Sequence, residues 1–129
     1  MRCDTEAVTA SAAILVVDDH DGFRAFARKM LELAGFTVAE AASGAEATAA
    51  ARRIRPRLVL LDIQLPDFDG FEVARRLAGQ EDSPVIVLTS TREASDYGGR
   101  IAASAAAGFL PKDQLSGAAL LRFLAEGMP

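Results

Sequence analysis

The sequence predicts an α/β fold: a doubly wound, five-stranded parallel sheet with helices on both faces. Three observations carry this. Five short apolar runs alternate with five stretches of helical periodicity. The runs are apolar throughout instead of at every second residue, as in strands buried on both faces. Polar, chemically capable residues stand where the runs end, at Asp18–Asp19, Asp62, Thr89–Ser90 and Lys112. In a parallel sheet those ends share one edge, outside which such folds bind ligands.

Each element has its own signal. "AILVV" (13–17) is β-branched and apolar, a buried strand β1. "GFRAFARKMLELAG" (22–35) places Phe23, Phe26, Ala27, Met30, Leu31 and Ala34 at helical spacing, giving α1 with Gly35 as its stop. "FTVAE" (36–40) is β2. "SGAEATAAARRI" (43–54) is an alanine-rich helix α2, capped by Ser43 and followed by Pro56. "RLVLLDI" (57–63) is β3, "GFEVARRLA" (70–78) is α3, and "SPVIVLTS" (83–90) is β4. "SDYGGRIAASAAA" (95–107) is a weak helix α4, in which Gly98 and Gly99 each cost roughly 1 kcal/mol relative to alanine. "AGFLPK" (107–112) is β5, and "LSGAALLRFLAEG" (115–127) is α5, with Ser116 as cap and Gly127 as stop. Residues 1–11 show no clean periodicity and read as a disordered tail, leaving 12–127 as one domain without repeats or an interdomain linker.

Composition excludes several classes. With 50% apolar and 25% charged residues, the 129-residue chain has the make-up of an ordinary globular protein. A net charge of −4 disfavours a nucleic-acid or anionic-membrane surface. Cys3 is the sole cysteine, so no intrachain disulfide can form. Asp4 and Glu6 stand where a secretory leader has its basic region, and no run approaches the ~20 apolar residues of a membrane span. The expectation is a cytoplasmic protein.

The strand ends set the chemistry. Asp18, Asp19 and Asp62 cannot all stay ionised side by side without a counter-charge. Lys112 supplies one positive charge, and a hard divalent cation would supply two more. Oxygen-only ligands favour Mg²⁺, which keeps several waters and leaves positions for a phosphoryl oxygen. With one histidine and one cysteine in the chain, a zinc site is not expected.

"VVDDH", "LVLLDIQLPDFDG", "VIVLTS" and "GFLPK" together resemble the response-regulator receiver domain of two-component signalling, over roughly residues 13–126. The resemblance implies the flavodoxin-like strand order 2-1-3-4-5. It implies that Asp62 is the phosphoacceptor, forming an aspartyl phosphate. Asp18 and Asp19 would hold Mg²⁺ with Asp62, and the backbone carbonyl of Gln64 would complete the protein ligands. Lys112 would pair with Asp62 and then with the phosphoryl group, while Thr89 would hydrogen-bond a phosphoryl oxygen. Thr89 and Phe109 would form the switch; Phe109 lacks a hydroxyl, so its coupling would run through packing. The Leu110–Pro111 bond would be cis.

The implied donor is a sensor histidine kinase or a histidine phosphotransfer protein. The downstream protein target would bind the α4-β5-α5 face, with no direct nucleic-acid or membrane contact; a homodimer stays open. The chain would be no dedicated substrate enzyme, catalysing only its own phosphorylation and aspartyl-phosphate hydrolysis. "LPKDQLSGAALLRFL" further resembles receivers that precede helix-turn-helix domains, so the main alternative is the receiver part of a two-domain DNA-binding regulator. A phosphorylation-independent binding module is the third reading.

Other features have plainer readings. His20 reads as a loop residue beside the site, and Asp21 as solvated or an N-cap. "DFDG" (67–70) reads as the turn and cap before α3, and Arg52, Arg53, Arg55 and Arg57 as a solvated helix end. Ser90 is expected to crowd phosphoryl access slightly, and Gln64 and Thr91 to tune hydrolysis. Flavin binding is disfavoured, because the loop after β1 opens with two acids instead of a phosphate-cradling Ser/Thr/Gly run.

Overall fold

A computed structural model of the chain describes residues 13–80 and 82–127; the expected tail at 1–11 lies outside them. Five strands form one parallel sheet in the order β2-β1-β3-β4-β5. The strands are β1 Ile14–Val17, β2 Val38–Ala41, β3 Leu58–Asp62, β4 Val85–Ser90 and β5 Gly108–Pro111. The longer helices are α1 Asp21–Leu33, α2 Gly44–Ile54, α3 Gly70–Ala78 and α5 Gly117–Gly127.

Because successive side chains in a strand point to opposite faces, the strands fill two cores. On one face Leu15, Val17, Val59, Leu61, Ile86 and Leu88 pack with alanines of α2 and with Val73 and Leu77 of α3. On the other, Ile14, Val16, Leu58, Leu60 and Val87 pack with Ala27 and Leu31 of α1 and Leu120 and Leu124 of α5. On α5, Leu121 turns outward and is 52% exposed.

Caps fall where the side chains predicted them. Ser43 accepts the Glu46 N–H, Asp69 accepts the Glu72 N–H, and Ser116 accepts the Ala119 N–H. Asp67 accepts the N–H groups of Gly44 and Ala45, which ties the loop after β3 to the start of α2. Asp21 is the first residue of α1, exposed and paired with Arg24; His20 occupies the N-cap position without a side-chain cap bond.

Two expectations are corrected. The α4 segment is not one helix: a 3₁₀ turn over Ala94–Tyr97 is followed by a four-residue helix α4, Arg100–Ala103. Gly98 takes a positive φ of 59° between them, a conformation glycine adopts without steric cost and which breaks helical continuity. The Leu110–Pro111 bond is trans, since no cis bond occurs among the described residues. Trans is the ordinary preference of X–Pro bonds, by about 0.5–1 kcal/mol, and β5 as an edge strand accommodates Pro111 without a ladder N–H.

Candidate functional site

The sheet brings the strand ends to one edge, as expected. β1 runs out at Val17, and the next residue, Asp18, is fully buried. Its backbone is pinned on both sides: its N–H donates to the Ala41 carbonyl at 3.0 Å, and its carbonyl accepts Arg24 Nη1 at 2.7 Å. Asp62 ends β3, is 3% exposed, and stands opposite Thr89 in the parallel register. Lys112 follows β5 directly. Its Nζ lies 2.5 Å from Asp18 Oδ2 and 3.3 Å from Asp62 Oδ2, so one ammonium bridges carboxylates from two strands. The same Nζ sits 4.6 Å from the centroid of the Phe23 ring, on α1.

The electrostatics show an excess of negative charge. Burial pushes the Asp62 carboxyl up, the Gln64 N–H at 3.0 Å pulls it down, the Asp18 charge raises it and Lys112 lowers it; the result is a pKa of about 6. Burial alone would lower Lys112, but the contact with Asp18 and the charges of Asp62 and Asp18 overcome it and hold the ammonium above its ordinary range. Lys112 therefore stays charged, and one ammonium does not neutralise both carboxylates. Asp18 Oδ2 is buried, and the Lys112 ammonium is its close partner. This donor set of buried and partly exposed carboxylates fits a hard divalent cation.

The remaining residues divide. Asp19 is half-exposed, and its carboxylate with that of Asp18 and the imidazole of His20 offers three donor atoms within 4.8 Å of one another. Sequence reasoning gave His20 no part in such a group; its direct succession to the acid pair was the available signal. Gln64 contributes its N–H to Asp62 Oδ1. Thr89 is buried, and its hydroxyl donates to the Leu110 carbonyl at 2.6 Å, away from Asp62.

Ser90, expected to crowd the site, turns its hydroxyl to the Tyr97 hydroxyl at 2.7 Å and accepts the Arg92 N–H at 3.0 Å. Tyr97 in turn packs edge-on against Phe71 at 5.9 Å and beside Phe109 at 6.3 Å between ring centroids. Sequence reasoning missed this link; Tyr97 is the sole tyrosine but lies in the segment expected to be the weak helix α4.

Gly70 lets α3 approach the site. A Cβ there would fall 2.6 Å from Ile63 Cα and 2.7 Å from the Asp62 carbonyl oxygen. Its N–H donates to Ile63 O at 2.7 Å, fixing the loop after β3. Beside Lys112 a cleft of about 1100 Å³ opens, lined by His20, Phe23, Phe26, Thr91 and Phe109 among others. Among the described residues no helix is long and apolar enough to cross a membrane.

Known proteins share this fold. The family model of the response regulator receiver domain matches residues 14–122. The chain is 38% identical over 84 residues to the transcriptional regulatory protein AfsQ1 of Streptomyces coelicolor, covering 65% of this chain and 37% of that one. It spans between 35% and 48% of the length of the first curated relatives it matches. Among solved structures, the chemotaxis response regulator CheY4 of Vibrio cholerae superposes with a TM-score of 0.77 at 28% identity, covering 91% of this chain and 98% of that one. The BeF3-activated N-terminal receiver domain of RstA from Klebsiella pneumoniae does so with 0.77 at 28% identity, over 88% and 96%. Strand order and sequence agree: the chain belongs to the receiver domains of two-component response regulators.

Proposed function

We propose that Asp62 accepts a phosphoryl group from a phosphohistidine on a sensor histidine kinase or histidine phosphotransfer protein. The observation that carries this reading is the bridge Asp18–Lys112–Asp62 at the carboxyl edge of the sheet. An Asp62 carboxylate oxygen forms the new bond to phosphorus as the nitrogen–phosphorus bond of the donor breaks, its electron pair passing to the imidazole. Lys112 is already charged and within reach of Asp62, so it neutralises phosphoryl oxygens without reorganising. Asp18, Asp19, Asp62 and the Gln64 carbonyl would hold Mg²⁺, which when bound draws charge from the phosphoryl oxygens.

The phosphoryl group adds roughly −1.5 to −2 charge at neutral pH. It competes with the Leu110 carbonyl for the Thr89 hydroxyl. Movement of Thr89 carries Ser90, and Ser90 holds Tyr97 against Phe71 and Phe109. The output is a changed α4-β5-α5 surface, on which Leu121 is already exposed, that binds a protein target in the cytoplasm.

The reading is tested by incubating the protein with acetyl phosphate and weighing it intact. The expected result is an adduct of about 80 Da that requires Mg²⁺ and disappears in Asp62→Asn. An adduct that survives that substitution defeats the reading.

A second reading, the receiver part of a two-domain DNA-binding regulator, draws on the relatives named transcriptional regulators. An antibody against this chain would then detect a product in source cells well above 13.6 kDa. A product of that mass alone would refute it.

A further inference from the structure

His20 stands where no structural duty requires a histidine. It is the N-cap residue of α1, yet its ring caps nothing; its backbone does the work, donating to Asp18 Oδ1 at 2.8 Å and accepting the Arg24 N–H at 3.1 Å. The ring instead faces the acid pair, with Nδ1 3.4 Å from Asp18 Oδ1 and 3.4 Å from Asp19 Oδ1. These three atoms lie within 4.8 Å of one another.

That spacing suits shared coordination. Donors about 2.1 Å from an ion sit roughly 3.0 Å apart on an octahedral edge and roughly 3.4 Å apart on a tetrahedral one. The backbone bonds fix the main chain of His20, while its ring is 75% exposed and can turn onto an ion beside Asp18 and Asp19.

We propose that His20 is a ligand of the ion held by Asp18 and Asp19, and that it shifts this receiver's preference from Mg²⁺ toward late first-row divalent ions such as Co²⁺, Ni²⁺ or Zn²⁺. Carboxylates and water favour hard ions, whereas an imidazole nitrogen adds most to the later transition metals. Replacing one oxygen donor by nitrogen therefore changes selectivity more than it changes affinity for Mg²⁺. The inference rests on the reading of Asp18 and Asp19 as the ion site.

The chain makes the test unambiguous, because His20 is its sole histidine. The Cys3→Ser protein, which removes the sole competing thiol, is titrated with Co²⁺ and followed by proton NMR and visible absorption. The expected result is one hyperfine-shifted, exchangeable imidazole N–H resonance at one equivalent of Co²⁺. His20→Ala should lose that resonance and bind Co²⁺ at least about tenfold more weakly, with Mg²⁺ affinity within about twofold of the parent. Co²⁺ binding that Asp18→Asn abolishes, with no shifted histidine resonance or no effect of His20→Ala, overturns the role of His20 and leaves the ion site standing. Failure of either ion to bind the folded protein overturns the ion site, and this inference with it.

Discussion

Replacing Asp62 by asparagine should stabilise the ion-free protein at neutral pH. Asp62 is 3% exposed, and burial together with the Asp18 charge raises its pKa from 3.8 to about 6 despite the Gln64 N–H and Lys112. A carboxyl with a higher pKa folded than unfolded holds its proton more tightly in the folded state. Folding then takes up protons between about pH 4 and pH 6, and stability falls as pH rises through that window. The gap from 3.8 to about 6, at about 1.36 kcal/mol per pH unit, caps the penalty at about 3 kcal/mol by neutral pH. The lost ionic contact with Lys112 is already contained in the value of about 6. Asparagine keeps an oxygen for the Gln64 N–H but sets an amide N–H₂ against the Lys112 ammonium, which offsets part of the gain. The expected net stabilisation is about 1–2 kcal/mol at pH 7. Urea unfolding in the presence of a chelator measures it, and the advantage should shrink toward zero by about pH 4. A variant less stable than the parent at neutral pH, or an advantage equally large at both pH values, refutes the reasoning.

Three other perturbations probe neighbouring parts of the account. Lys112→Ala should cost about 3 kcal/mol at neutral pH, because it leaves Asp18 and Asp62 buried without their shared ammonium; urea unfolding reads the loss, and saturating Mg²⁺ should restore part of it. Gly70→Ala should cost about 1–3 kcal/mol by driving a methyl group into the backbone at Asp62 and Ile63, and should slow phosphorylation by acetyl phosphate as Asp62 shifts; a variant matching the parent in both would contradict the close approach. Tyr97 is the sole tyrosine and the chain has no tryptophan, so its emission reports the Ser90–Tyr97 contact directly. Phosphorylation should change that emission, and Ser90→Ala should reduce the change; emission unmoved by phosphorylation would break the proposed route to α4.

The sheet was legible because its strands are apolar along their length and bracketed by recognisable caps. Ser43, Asp69 and Ser116 act locally, on N–H groups three residues away, so sequence spacing determines them. The site was legible for a related reason. Once the topology is parallel, the residues that end β1, β3, β4 and β5 share one edge; there Asp18, Asp62 and Lys112 meet, and Thr89 stands beside Asp62 in register. What remained hidden depends on rotamers and long-range pairs. Thr89 could face Asp62 or β5, and the Leu110 carbonyl decides it. The Ser90–Tyr97 bond joins a strand end to a 3₁₀ turn where the sequence predicted the first turn of a weak helix. The break in α4 needed more than propensity, because glycine at 98 permits a helix and also permits the positive φ that ends one. His20 reads as a loop residue beside the site and stands there, exposed between β1 and α1; the direction of its ring toward Asp18 and Asp19 is a rotamer that sequence does not carry.

The central claim is that Asp62, and neither Asp18 nor Asp19, carries the phosphoryl group. Borohydride reduction of the phosphorylated protein cleaves an acyl phosphate to the corresponding alcohol and leaves free carboxylates intact. Tandem mass spectrometry of the reduced protein should place homoserine at position 62 alone. Reduction at position 18 or 19, or no reduced residue in a protein that carries the adduct, would contradict the account.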